Sequence, residues 1–297
     1  MRRIVFGLLF LSLPALAQDV WLNYAFAHRP VPKWQNGFLL AYQTRNEPSA
    51  IFVFDRSGQM VLNKRIEIPG SGEILIRDTA ASLDGRFAIS GSNAATGQFI
   101  VSLTLSGAIA WIVKSTDFGA QRIAFAPDGT LWAFGHAFGP SIRQPEGVPD
   151  YATLRQYDSA GNLVKSVLPK STFAKQPDLG AFMVTTRDKI GIYSDWATEW
   201  VELSLSGEVL GRWKGVEVPD GDFATGAALL PNGGVYLSVQ YHTSPRTEVS
   251  HIFKLNKQSG MWSIIDQNPH TPAILGIDGD QIVTYGPNRS LRWMWLD

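Results

Sequence analysis

A short turn recurs along this chain in two alternating versions. Copies of the first version end in Asp-Gly or Asn-Gly and occupy residues 82–85, 126–129, 230–233 and 277–279. Copies of the second version end in Ser-Gly or Ala-Gly, and occupy residues 55–58, 105–107, 158–161, 205–207 and 257–260. Asp-Gly and Asn-Gly suit tight hairpins because both central residues adopt positive φ at little cost. Each turn lies between short apolar runs, so we expect a chain of consecutive β-hairpins.

The spacing of these turns indicates a repeat. Glycines of one version are 44 to 54 residues apart, except for a gap of 104 residues between Gly129 and Gly233, which is two periods. The missing copy is expected near residue 188, where no glycine stands. Each period holds four short strand candidates, which in the second period are residues 74–82, 86–91, 99–105 and 108–113. Four antiparallel strands per repeat of about 40–50 residues are typical of a β-propeller blade.

The blade count follows from the same spacing. Five full blades are predicted to begin near residues 34, 71, 119, 174 and 219. A sixth begins near residue 271 and holds three strands before the last residue, whereas residues 20–27 form an apolar run with no place in the first blade. The sequence therefore predicts an all-β, six-bladed β-propeller closed by an N-terminal strand, which also pairs an open sheet edge. A ring of seven blades is the alternative, and the spacing fits it less well.

The blades resemble those of six-bladed propellers of the broad TolB-like and NHL-like class. The likeness rests on residues 125–132, which read Phe-Ala-Pro-Asp-Gly-Thr-Leu-Trp, and on residues 157–164, which read Tyr-Asp-Ser-Ala-Gly-Asn-Leu-Val. This resemblance covers nearly the whole mature chain and implies the fold. It implies no activity, because propellers serve as enzymes, receptors and scaffolds.

The first residues predict export. Residues 1–17 combine a basic start, an apolar run and a small-residue cleavage site, which is typical of a signal peptide. Residues 18–297 would then form a single propeller domain in the periplasm or outside the cell. The chain has no cysteine, and removal of two leader arginines leaves 24 basic against 26 acidic residues. No segment after the leader is apolar enough to span a membrane. These features argue against thiol chemistry, a nucleic-acid partner and a membrane-spanning role.

Binding residues are expected on one face of the ring. The tight turns lie together on one face, the turn face, and longer loops lie on the other, the loop face, at residues 44–50, 92–98, 136–151, 194–199, 241–249 and 286–290. Binding sites concentrate on loops held by a rigid scaffold. The candidates are His136, Asp195, Trp196, Glu199 and His242. Aromatic rings beside carboxylates suit carbohydrates or peptides, so the sequence predicts a monomeric binding module for a protein, carbohydrate or small molecule.

An acidic set supports the alternative function. Glu73, Asp117, Asp178 and Asp222 each lie just before the first strand of a blade. First strands line the channel of a propeller, so these acids would ring its mouth and suit Ca²⁺ or another divalent cation. Lactone-hydrolysing six-bladed propellers use such a central metal, which makes a metal-dependent hydrolase or lyase the alternative to a binding module. A structural part of an envelope complex is the third hypothesis. No catalytic residue is assigned and no other cofactor is expected.

Overall fold

The computed structural model describes residues 20–21, 32–44, 48–93, 97–137, 150–175, 177, 180–219, 222–244, 247–266, 273–285 and 290–295. They form six four-stranded antiparallel sheets, which are the six blades of a β-propeller. No helix in this part of the chain is both long enough and apolar enough to cross a membrane.

The strands of blades one to five follow one another in the chain, whereas blade six combines three consecutive strands with β1. Blades one to three comprise β2 Lys33–Gln35, β3 Phe38–Gln43, β4 Ala50–Phe54 and β5 Met60–Arg65; β6 Ile74–Ala81, β7 Phe87–Asn93, β8 Gly97–Leu103 and β9 Ile109–Ser115; and β10 Phe118–Phe125, β11 Leu131–Ala137, β12 Ala152–Tyr157 and β13 Leu163–Pro169. Blades four to six comprise β14 Ala181–Thr185, β15 Lys189–Ser194, β16 Glu199–Ser204 and β17 Val209–Lys214; β18 Phe223–Leu229, β19 Val235–Ser244, β20 Thr247–Asn256 and β21 Met261–Asp266; and β22 Ala273–Asp278, β23 Gln281–Tyr285, β24 Ser290–Met294 and β1 Val20–Trp21.

The first strands of the blades form a ring around the axis. Strands β2, β6, β10, β14, β18 and β22 contact one another in this order, and β22 also contacts β2. The predicted six blades are confirmed, with one correction: blade four begins at Ala181 rather than near residue 174, because a short 3-10 helix, Lys170–Thr172, and a connecting segment come first. In blade six, β1 pairs with β24 through Val20 opposite Leu291 and Trp21 opposite Ser290. Residues 22–31 lie outside the described part, so closure by the whole of residues 20–27 stays a prediction.

The core lies between the blades rather than within any one of them. Successive residues of a strand have side chains on opposite faces, so Ile51 and Val53 pack toward blade two and Phe52 and Phe54 pack toward blade six. Each of the six interfaces has its own cluster of buried apolar side chains among the described residues. Both faces of a middle strand are therefore buried, which explains why these strands read as continuous apolar runs.

Close packing of neighbouring first strands requires glycine at particular positions. A Cβ at Gly226 of β18 would collide with the carbonyl oxygen of Ile274 in β22. The turn expected near residue 188 also exists without glycine: the backbone N–H of Thr186 donates to the carbonyl of Lys189 over 2.9 Å. Thr186 also donates from its hydroxyl to the carboxylate of Asp188, over 3.1 Å. A side-chain hydrogen bond thus stabilises this turn, where its equivalents have glycine.

Candidate functional site

The ring of first strands encloses a cavity of about 720 Å³ on the axis of the propeller. Residues of all six first strands line it, and further lining residues come from both the turn face and the loop face. The two halves of the wall differ in chemistry. Blades one to three contribute basic side chains, and blades four to six contribute mainly apolar ones.

Register shifts bring side chains of the first strands into this cavity. The pairing of β6 with β7 shifts between Ile76 and Asp78, so Arg77 is an extra residue in its strand. Equivalent shifts leave Thr225 in β18 and Leu275 in β22 as extra residues. All three line the cavity. Such β-bulges change the direction of a side chain relative to the regular pleat, so in three blades the bulge supplies a residue of the cavity wall.

A buried ion pair joins blades one, two and three at the basic wall. Lys33 Nζ lies 3.1 Å from Asp78 Oδ2, and the two side chains are 17% and 11% exposed. The same carboxylate oxygen accepts the backbone N–H of Ile123 over 2.7 Å. Lys33 also donates to the carbonyl oxygen of Ile123. Each partner of the pair is therefore satisfied by the other and by the main chain of blade three.

Two arginines lie near this ion pair at the cavity wall. Arg77 Nη1 donates to Gln121 Oε1 over 3.2 Å, and Arg122 Nη1 donates to the carbonyl oxygen of Gln121 over 2.8 Å. Arg122 Nε donates to the carbonyl oxygen of Ala181, so its guanidinium crosses to blade four. The guanidinium also lies over the ring of Phe182, 5.9 Å from its centroid. Neutral oxygens hold both guanidinium groups at the cavity wall.

The electrostatic state of this group follows from its burial. Burial lowers the pKa of Lys33, and the positive charge of Arg122 lowers it further, whereas the Asp78 carboxylate acts in the opposite direction. Burial raises the pKa of Tyr42 to about 12, and its hydroxyl donates to the carbonyl oxygen of Arg77 over 2.8 Å. We define these five residues, Lys33, Tyr42, Arg77, Asp78 and Arg122, as the basic cluster. Its charged groups are close enough to affect one another.

Gln35 braces the channel at its turn-face end. The side chain accepts the backbone N–H of Ala81 over 3.1 Å, and it donates to the carbonyl oxygen of Phe125 and to Thr185 Oγ1 over 3.2 and 3.3 Å. These contacts connect blades one, two, three and four. Because Gln35 is only 8% exposed, the brace is a buried polar link across the channel.

The opposite wall is mainly apolar, and its charged lining residues are Arg187, Asp195 and Asp278. Phe182, Met183 and Val184 of β14 lie there with alanines of β18 and with Ile274 and Leu275 of β22. Asp195, in the turn between β15 and β16, lies at the loop-face end of this wall. Burial raises the pKa of Asp195. The backbone N–H of Ala224 donates to this carboxylate and lowers the pKa by a smaller amount. The cavity is therefore amphipathic, with its basic cluster facing apolar side chains.

The predicted binding residues fall at separate places. Asp195 lines the cavity, whereas its neighbour Trp196 is 56% exposed and does not. Glu199 begins β16 and accepts both hydrogen bonds from Arg212 Nη2, each of 3.0 Å, away from the channel. His136 lies near the end of β11, opposite Gly119, and is not part of the cavity wall. His242 lies in β19, and its side chain is outside the described part.

The predicted acidic ring is described only in part. Glu73 is exposed, and Asp117 is exposed and bound by Arg155 and by the hydroxyl of Ser115, at 3.0 and 2.7 Å. Asp222 lies just before β18, and Asp178 lies outside the described residues. Within the described residues, no three His, Cys, Asp or Glu side chains are grouped as metal ligands would be. A cation site at the acidic ring stays a prediction.

The basic cluster is absent from the residues predicted above, although the sequence contains a signal for it. Lys33 and Asp78 are 45 residues apart, and Asp78 and Ile123 are again 45 residues apart. Arg77 and Arg122 precede these last two positions and share their spacing. Basic residues at about the same level of successive first strands converge on the axis of a ring. The register shifts match Arg77 with Gln121, one residue before Arg122, so the repeat period alone shows this group only approximately.

Comparisons with known proteins support the fold alone. No protein-family model and no curated protein sequence matches this chain. A DUF4221 family member from Bacteroides vulgatus has a TM-score of 0.54 at 10% identity, covering 88% of this chain and 90% of its own. A protein of unknown function from Bacteroides caccae has a TM-score of 0.52 at 13% identity, covering 85% and 82%. Virginiamycin B lyase from Staphylococcus aureus has a TM-score of 0.50 at 13% identity, covering 95% and 99%.

Proposed function

We propose that this protein is a ligand-binding propeller that takes a small molecule into its central channel. The observation that carries the proposal is the cavity of about 720 Å³ on the ring axis. Small-molecule sites have volumes of about 300–1,000 Å³ and combine mostly apolar walls with a few fixed polar groups. The apolar side chains of β14, β18 and β22 and the braced polar groups of β2, β6 and β10 match that description.

The rigidity of the wall also supports this proposal. The polar groups at the wall are held by hydrogen bonds before any ligand binds. Asp78 is bonded to Lys33 and Ile123, and Gln35 is bonded to blades two, three and four. A site whose polar groups are already ordered loses less conformational entropy on binding. A binding role is therefore favoured without any need for a catalytic group in the channel.

The proposal is tested with a neutral fluorescent ligand, N-phenyl-1-naphthylamine, titrated into the purified protein. We expect saturable binding at one site per chain. In the variant Thr225→Trp the indole would fill the channel, and the bulge position accepts a large side chain because β6 carries Arg77 at the equivalent place. We expect Thr225→Trp to remove the saturable signal while circular dichroism stays unchanged.

The matched control is Thr116→Trp, at an exposed position between β9 and β10 that does not line the cavity. This variant should bind the dye as the unmodified protein does. The proposal fails if both tryptophan variants bind alike, because the dye would then lie on the outer surface, where other apolar side chains such as Met261 are exposed.

A further inference from the structure

The cavity wall from blades one to three carries more positive than negative charge. Lys33, Arg77 and Arg122 line it together with one carboxylate of the same blades, Asp78. Asp78 is already engaged, since its Oδ2 atom binds both Lys33 Nζ and the backbone N–H of Ile123. The basic cluster therefore retains about two positive charges at neutral pH if Lys33 is protonated.

Arg122 has donor capacity left for a ligand. Its Nε and Nη1 groups bind the carbonyl oxygens of Ala181 and Gln121, and Nη2 makes no hydrogen bond within the described part of the chain. Those two bonds fix the plane of the guanidinium. An arginine held in this way presents the remaining N–H groups to a carboxylate or phosphate without further loss of side-chain freedom.

The surroundings of Arg122 indicate the rest of the ligand. The ring of Phe182 lies against its guanidinium and opens the apolar wall that continues through Met183 and along β18 and β22. A ligand that placed an anionic group at Arg122 would thus extend an apolar body over this wall. Burial of apolar surface contributes about 25 cal/mol per Å², and a charge interaction is stronger where protein atoms replace water around it.

We infer that the channel binds a small molecule with an anionic group, a carboxylate or a phosphate, on an apolar body. This inference rests on the proposed function, because it names the ligand class of the same channel. The anionic group binds the basic cluster through Arg122, with Lys33 and Arg77 adding positive charge. The apolar body packs on Phe182 and the facing strands.

Two dyes that differ in one group test the inference. 8-Anilino-1-naphthalenesulfonate is N-phenyl-1-naphthylamine carrying a sulfonate. We expect the sulfonated dye to bind about tenfold or more tightly than the neutral dye, as a charge-assisted bond to the half-buried Arg122 would give. Arg122→Gln should remove most of that preference and leave the neutral dye within about twofold of its original affinity. Arg122→Lys, which keeps the charge and loses the planar donor fork, should retain part of it.

The matched control is Arg65→Gln, at an exposed position on β5 where the arginine pairs with Glu67. It should leave both dye affinities unchanged. Displacement of the sulfonated dye by octanoate, monooctyl phosphate and octanol adds a test on the unmodified protein. We expect both anions to displace the dye and octanol to do so weakly, and the stronger anion distinguishes a carboxylate ligand from a phosphate ligand.

Separate results overturn the two proposals. Equal affinities for the two dyes, or an Arg122→Gln effect no larger than that of Arg65→Gln, would overturn the anionic ligand class while Thr225→Trp still blocked both dyes. Octanol displacing as well as octanoate would do the same even if Arg122→Gln did not fold. Dye binding that is insensitive to Thr225→Trp would instead overturn the channel as the binding site.

Discussion

The ion pair between Lys33 and Asp78 provides the sharpest test of how this channel is built. We predict that Asp78→Asn lowers the free energy of unfolding by about 3 kcal/mol, since removing one partner of a buried pair costs about 3–5 kcal/mol and leaves an uncompensated charge. The lower end of this energy range applies because the side chains of Lys33 and Asp78 are still 17% and 11% exposed. The asparagine oxygen still accepts from the Ile123 N–H, so the loss reports mainly on the charge.

The pH dependence of this loss has a definite sign. Burial places the pKa of Lys33 below its ordinary value of 10.5, so the folded protein binds fewer protons than the unfolded chain between the two values. Stability therefore rises with pH through that window. Asp78 raises the pKa of Lys33, so its removal lowers that pKa further and widens the window. We expect the deficit of Asp78→Asn to be largest on the acid side of that window, where the carboxylate is still ionised, and to shrink as the pH approaches 10.5.

Urea denaturation of the two proteins at several pH values measures these quantities. The matched control is Asp117→Asn, which breaks the pair with Arg155 at an aspartate whose side chain is 68% exposed. Exposed pairs contribute about 0–1 kcal/mol, so the control should lose less than about 1 kcal/mol. Equal losses in the two variants, or a deficit of Asp78→Asn that does not change with pH, would refute the argument. Asp78→Asn should also bind the sulfonated dye more tightly, because it removes a carboxylate from the basic cluster.

Two further predictions concern the scaffold of the channel. Gln35→Leu should lower the free energy of unfolding by about 2–4 kcal/mol in urea denaturation, because the buried backbone N–H of Ala81 loses its acceptor. A loss below about 1 kcal/mol would show that the hydrogen bonds of Gln35 do not stabilise the channel. Gly226→Ala should lower the free energy of unfolding by about 3 kcal/mol, because its Cβ would collide with the Ile274 carbonyl. Gly279→Ala, at φ +61 with open space around it, should lower it by about 1 kcal/mol. Equal losses in the two variants would contradict the close packing of β18 on β22.

The fold could be predicted because its signals are local and repeated. Hairpin turns mark two of the three connections within a blade, and buried middle strands such as residues 51–54 stand out as apolar runs. The start of blade four was predicted about seven residues too early. Its first turn keeps the side-chain hydrogen bond that blade two also has, from Thr186 to Asp188, but contains no glycine. The glycine that marks the other blades is therefore missing there.

The candidate site could not be predicted in the same way, because it depends on register. Arg77, Thr225 and Leu275 reach the cavity as extra residues at register shifts, and alternation along a strand does not reveal where a shift occurs. Polar residues are common in the long loops, and the binding residues predicted from the sequence all lie there. Of the five binding residues predicted there, Asp195 is the one among the described side chains that lines the cavity.

The overall charge also concealed the basic cluster. The chain has 26 basic and 26 acidic residues, and no basic segment is visible in it. In a propeller, however, residues one repeat apart lie side by side around the axis, so Lys33 meets Asp78 and the main chain at Ile123 although 45 residues separate each step. One basic residue on the first strand of each of blades one to three, invisible as composition, thus becomes a concentrated charge in the channel. In a ring of repeats, charged residues should be compared between successive blades, because residues that are adjacent at the axis are about one repeat apart in the chain.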